Sequence, residues 1–198
     1  MYLLCSNPKY FRIKNSKRDK CICKKIRMAF VLWMTGLPCS GKTTLAKKLS
    51  DKVNNIAILD GDELREWLSP KDFSREGINE HTRKVANLAK LLSNHNVPVL
   101  VSLVSPFNEN RKNARKIIGD NKFIETYVKC SLSICEERDV KGMYKKARQN
   151  EIKDFIGVNA DYEIPDSPDL IIDTDKLSVE ESVNKLLLYL KNKNLIRN

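Results

Sequence analysis

The sequence predicts an α/β fold: a three-layer α/β/α sandwich of the P-loop kinase type, built on a parallel sheet and carrying a mobile lid. Three observations predict it. Gly36-Leu37-Pro38-Cys39-Ser40-Gly41-Lys42-Thr43 fits the phosphate-binding pattern G-x-x-x-x-G-K-S/T. An apolar run precedes this loop and an amphipathic one follows it, which is the strand–loop–helix context the pattern requires. Strand-like and helix-like stretches then alternate to the end of the chain, the order that gives a parallel sheet covered on both faces.

The elements follow in order. Residues 29–34, Ala-Phe-Val-Leu-Trp-Met, are short, apolar and closed by Gly36, as a buried strand should be. From Thr44 a helix begins, with Leu45, Ala46 and Leu49 on one face; it runs to about Val53 and closes at Asn54-Asn55. Residues 56–59 form the next strand, entering Asp60-Gly61-Asp62. Residues 63–68 read as a short helix broken at Ser69-Pro70, with Phe73 left in a loop. Residues 78–95 read as a long helix, its apolar face formed by Val85, Leu88, Ala89, Leu91 and Leu92. The most hydrophobic run, 97–104, is an interior strand ending at Ser105-Pro106-Phe107. A helix over 110–118, a strand over 123–128 and a helix through Leu132, Cys135 and Arg138 come next. Residues 139–162 have few aliphatics and five basic side chains (Lys141, Lys145, Lys146, Arg148, Lys153), and are expected to be a partly helical lid. A last strand at 170–172 and an amphipathic helix over 179–190 finish the chain.

Length and charge bound the domain count. A chain of 198 residues suggests one kinase domain, 28–198, preceded by an N-terminal extension over 1–27. The net charge of +11 invites a nucleic-acid reading, but it is unevenly placed. Residues 1–27 carry nine Lys/Arg against Asp19 alone, a net of +8, so the remaining 171 residues hold only +3. That extension has no hydrophobic period and is expected to be disordered and dispensable. Six scattered cysteines without a C-x-x-C pair, and only two histidines, fit a reducing, cytoplasmic setting better than a zinc site. No apolar run reaches the roughly 18 residues of a membrane span. Neither a nucleic-acid nor a membrane partner is expected; a homodimer is left open.

The motifs point to phosphoryl transfer. Gly36, Cys39, Ser40, Gly41, Lys42, Thr43 and Thr44 are candidates to bind ATP: glycines let the backbone wrap an anion, and N–H groups at a helix N-terminus point at phosphate. Lys42 can reach the β- and γ-phosphates, and Thr43 can hold Mg²⁺ through its hydroxyl. In an open parallel sheet, ligands bind beyond the carboxyl ends of the strands, so Asp60 and Asp62 face the same crevice as the loop. No guanine-binding N-K-x-D motif follows, which favours a small-molecule kinase over a GTPase switch.

Several stretches together resemble the adenylylsulfate (APS) kinase family over about residues 29–190. They are 36–46, Leu59-Asp60-Gly61-Asp62, Phe73-Ser74-Arg75-Glu76, Ser105-Pro106-Phe107, the run Cys135-Glu136-Glu137-Arg138-Asp139-Val140-Lys141-Gly142-Met143-Tyr144-Lys145-Lys146-Ala147-Arg148, and Tyr162-Glu163-Ile164-Pro165. The family uses MgATP to phosphorylate the ribose 3′-hydroxyl of a nucleotide whose 5′ end is a mixed anhydride. The resemblance implies that Asp62 orients or deprotonates that hydroxyl and that Asp60 supports Mg²⁺ through water. It implies that Arg65 pairs with the acceptor 5′ phosphate, Phe73 and Phe155 sandwich the acceptor base, and Lys141 meets ATP phosphate when the lid closes. Arg138 and Thr174 match positions that hold the ATP adenine, and Ser105 matches an active-site serine.

The chain also departs from the family pattern. Where the family commonly has Asp-Arg and then Asn, this sequence has Gly77, Ile78 and His81; later, Lys-Gly-Phe-Thr-Gly reads Lys153-Asp154-Phe155-Ile156-Gly157. The ATP half of the motif set is intact and the acceptor half is altered. Exchanging Arg for Ile removes a charge and five donors. A divergent branch fits this change: the cytidine diphosphoramidate kinases of capsule phosphoramidate biosynthesis, whose acceptor ends in an NH₂ donor that no Arg could accept from. Ile78 and His81 are therefore expected at the acceptor site. That acceptor is the favoured expectation; orthodox adenylylsulfate kinase activity and a nucleic-acid-binding P-loop ATPase are the alternatives.

Overall fold

A computed structural model describes residues 27–68 and 72–197. The expectations for residues 1–26 and for the break at Ser69-Pro70 lie outside the described residues. Among them the elements run β1 (Val31–Thr35), α1 (Lys42–Lys52), β2 (Ala57–Asp60), α2 (Gly61–Leu68), α3 (Arg75–Asn94), β3 (Val99–Ser102), α4 (Asn108–Ile118), β4 (Phe123–Lys129), α5 (Leu132–Arg138), α6 (Met143–Arg148), β5 (Leu170–Asp173) and α7 (Val179–Asn192). The strands form one parallel sheet in the order β2-β3-β1-β4-β5.

Period-2 alternation divides the core between the two faces. Leu32 and Met34 of β1 point to one side, where Leu45 and Leu49 of α1 and Leu186 and Leu190 of α7 cover them. Val31 and Trp33 point to the other, against Val85, Ala86 and Ala89 of α3 and Ala114 of α4. All five β1 residues are buried, which is why its first four form an unbroken apolar run instead of an alternating one. β1 is the middle strand, so the loop that follows it opens at the centre of the sheet's carboxyl edge.

Most boundaries match the sequence pattern to within two or three residues, and the differences have local causes. α3 starts at Arg75, three residues before the apolar period does, because Ser74 caps it: the Ser74 hydroxyl accepts from Gly77 N–H at 3.1 Å. α2 starts at Gly61, so Asp62 is a helical residue and not part of a free turn. α4 starts at Asn108, directly on the Phe107 turn. At the end of the chain, Ser178 and Glu181 form a reciprocal capping box that fixes the start of α7.

Candidate active site

The loop between β1 and α1 is shaped by contacts that leave no room for side chains. A Cβ on Gly36 would lie 2.5 Å from the Val128 carbonyl oxygen, so only glycine lets the loop pass β4 this closely. Cys39 adopts φ 61°, a left-handed conformation held by the surrounding loop. The Lys42 ammonium folds back under the loop and donates to the carbonyls of Gly36 (2.9 Å) and Leu37 (2.6 Å) and to Ser40 Oγ at 3.3 Å. Burial lowers its pKa to about 8, against the opposing pull of Cys135, Asp62, Asp60 and Cys39. An incoming phosphate would replace loop carbonyls as the partner of this cation. Thr44, next in α1, is exposed.

Hydroxyls and a carboxylate converge beside Lys42. Thr43 Oγ1 donates to Asp60 Oδ2 at 2.7 Å and lies 3.1 Å from Ser102 Oγ. Asp60 and Ser102 are register partners at the ends of adjacent strands, which fixes this geometry in the sheet itself. Such a set of hard oxygen donors suits Mg²⁺. The sequence reading missed Ser102; its signal was its place as the last residue of a strand neighbouring the one that ends in Asp60. The other Asp60 oxygen accepts from Asp62 N–H at 3.1 Å, and Asp62 is exposed and ion-paired with Lys141 from the predicted lid. The structure thus brings Lys42, Thr43, Asp60, Asp62 and Lys141 together.

Arg138 and Thr174 meet behind the loop. Arg138 Nη2 donates to the Thr174 carbonyl at 2.8 Å, Nη1 reaches Thr174 Oγ1 (3.3 Å) and the Cys39 carbonyl (3.4 Å), and Thr174 Oγ1 donates to the Ser40 carbonyl at 3.0 Å. Tyr144 of α6 donates to the Pro38 carbonyl at 3.0 Å and so ties this helix to the loop, a bond that no motif or period signals.

The predicted acceptor residues are less uniformly arranged. Arg65 lies 4.6 Å from the centroid of the Phe73 ring and donates to the Asp72 carbonyl at 2.9 Å. Phe73 is 49% exposed. Phe155 packs edge-on against Tyr144 with ring centroids 4.9 Å apart. Ile78 is buried with Phe107 and Ile156, and the Arg75 guanidinium lies 4.1 Å from the Phe107 ring centroid. His81 is 1% exposed; burial first, then the charge of Arg65, lowers its pKa to about 4, against a hydrogen bond to the Gly61 backbone. It is therefore a neutral side chain held beside Gly61, the first residue of the helix that carries Asp62. Ser105 is 2% exposed, and its hydroxyl accepts from Trp33 Nε1 at 3.0 Å, which turns it into the protein.

Residues 28–173 match the family model described as adenylylsulphate kinase. The chain belongs to the adenylylsulphate kinase family. A probable adenylyl-sulfate kinase of Halalkalibacterium halodurans is 46% identical over 165 residues, covering 81% of this chain and 82% of that protein. The adenylyl-sulfate kinase of Staphylococcus carnosus is 39% identical over 188 residues, 92% of each chain. Among solved structures, the Mycobacterium tuberculosis APS kinase in complex with AMPPNP and APS is 35% identical, with a TM-score of 0.77 over 83% of this chain and 98% of that one. Shikimate kinase from Aquifex aeolicus, at 22% identity and a TM-score of 0.53, shares the fold. Family membership makes this chain an ATP-dependent nucleotide kinase of the P-loop class. Among the described residues no helix is long and apolar enough to cross a membrane.

Proposed function

We propose that the chain transfers the γ-phosphoryl group of MgATP to the ribose 3′-hydroxyl of a nucleotide carrying a 5′ mixed anhydride, and that adenylylsulfate is its acceptor. The observation that carries the reaction is the position of Asp62. Its backbone N–H donates to Asp60, which also accepts from Thr43, and its carboxylate pairs with Lys141 of the 139–162 segment. A hydroxyl bound to Asp62 would lie beside the phosphoryl group held by Lys42, and Asp62 would orient it for in-line attack. Lys42 and Lys141 would stabilise charge on the transferring group. Thr43 and Asp60, with Ser102, would hold Mg²⁺, which would supply positive charge to offset that of the phosphates.

Adenylylsulfate is supported by the names of the relatives, which favour sulfate activation over capsule biosynthesis. A second reading, cytidine diphosphoramidate as acceptor, is supported by Ile78 and His81. Both are buried on α3, and neither supplies a charged donor to an anionic end. Coupled ADP release measured with both acceptors side by side tests the choice. Turnover with adenylylsulfate at higher kcat/KM supports the first reading. A preference for the cytidine compound of roughly 5- to 150-fold, the size of one unmatched polar group, supports the second. No turnover with either overturns the proposed reaction.

A further inference from the structure

Arg111 belongs to no motif singled out in the sequence, yet its side chain is among the largest fully buried in the molecule, at 2% exposure. Its guanidinium is shared among several segments. Nη1 donates to the Ser105 carbonyl at 2.6 Å; Nη2 donates to the Glu163 carbonyl at 2.7 Å and to the Asn108 side chain. Nε faces the Glu125 carboxylate of β4 at 2.9 Å, and the ring of Tyr162 lies 5.7 Å from the guanidinium carbon. The same two segments are stitched together around it. Glu163 N–H donates to the Pro106 carbonyl at 2.9 Å, and the Glu163 carboxylate accepts from Asn108 N–H at 2.6 Å. Tyr162 OH is 2.9 Å from Thr35 Oγ1, and Thr35 immediately precedes Gly36 of the phosphate loop.

A buried guanidinium is costly unless its donors are matched, and a strand-to-helix turn does not by itself need one. What this one joins is specific. Ser105 has φ 37°, a conformation rare for an L residue, and its carbonyl is aimed at Nη1. Tyr162 is the far end of the 139–162 segment and Glu163 is the residue that follows it. A lysine, with one compact ammonium, could not hold both carbonyls in the plane of a fork.

We propose that Arg111 is a positioning residue that pins the far end of the lid to the β3–α4 turn, and through Tyr162 and Thr35 to the root of the phosphate loop. The lid then moves between two fixed roots: Arg138 at its start, tied to Thr174, and Tyr162-Glu163 at its end, tied to Arg111. Pinning both ends sets where Lys141 and Phe155 arrive when the segment closes. The inference rests on the proposed function only in taking residues 139–162 as the segment that closes over substrate.

Arg111→Lys in the full chain tests it. The variant is expected to melt cooperatively and to keep its KM for ATP within about twofold. Its KM for the acceptor should rise by about 10-fold or more, since small misplacements of positioning groups carry effects of that size. MgADP with acceptor should also lose its protection of residues 139–165 against limited proteolysis. Glu125→Gln is the control: it weakens the buried charge pair but leaves the bonds to Ser105 and Glu163, so acceptor KM should stay within about twofold. An Arg111→Lys variant that melts earlier yet keeps its acceptor KM and ligand protection overturns the proposal. So does a Glu125→Gln variant with the same acceptor defect. If Arg111→Lys does not fold, Tyr162→Phe, which removes only the hydroxyl bound to Thr35, should raise acceptor KM about threefold, and no rise overturns the proposal. Should wild type use neither nucleotide acceptor, the proposed function fails. Proteolysis of wild type and Arg111→Lys with MgAMPPNP alone then still decides the pin: loss of wild-type protection in the variant supports it, and equal protection overturns it.

Discussion

Lys42, Thr43, Arg138 and Thr174 each bond to another residue of the phosphate end, while Phe73 stands half exposed and Phe155 packs on Tyr144. The phosphate end is built from strand ends and one tight loop, and parallel pairing fixes the register of those strand ends. The residues proposed for the acceptor end come from two helices, a connecting loop and the 139–162 segment, and their mutual placement would depend on closure. A phosphate site can be general to many kinases. An acceptor site that completes itself around its ligand is where one family member can differ from another.

The sharpest way to break this comparison is at its rigid end. Lys42→Ala should lower turnover by about 10³-fold or more, because it strips the buried cation from the transferring phosphoryl group. A variant that keeps most of its activity in an ADP-release assay would remove the loop from the mechanism. Asp62→Asn keeps shape and loses charge. Its kcat should fall by about 10²-fold with ATP affinity little changed. A change confined to the KM for ATP would instead move Asp62 to the metal.

His81 joins the two ends, since it bonds the Gly61 backbone between Asp60 and Asp62 and is surrounded by Arg65, Lys84 and Asp62. Its folded pKa of about 4 lies below the ordinary 6.5, so the unfolded chain takes up a proton that the folded one refuses. Stability should therefore fall as pH drops from 6.5 and level off near 4, a loss on the order of 3 kcal/mol from this group. Denaturant midpoints of wild type and His81→Gln across that window check it. Equal slopes would mean that the ring is not held neutral. The smallest effect belongs outside both ends. Removing residues 1–27 should change kcat/KM by less than about twofold, even though Arg27 bonds to Leu195 and Asn194 at the chain's other end. A large loss would give the basic extension a role in the reaction.

What the sequence determined by itself were the features set by local rules. The spacing of Gly36, Gly41, Lys42 and Thr43 specifies the phosphate loop, because backbone conformation and offset along one strand–loop–helix unit decide it. The alternation of elements determined the parallel sheet, and the departure at Gly77, Ile78 and His81 was already visible in the order of residues. Tertiary structure alone decided what needed two distant segments to meet. It placed Ser102 beside Thr43, turned the Ser105 hydroxyl onto Trp33, made His81 a brace for Gly61, and buried Arg111 between Ser105 and Glu163. None of these has a periodic or motif signature. A polar side chain reads the same in sequence whether it reaches solvent, substrate or a buried carbonyl, and only the packing of strands and helices around it determines which of these it meets.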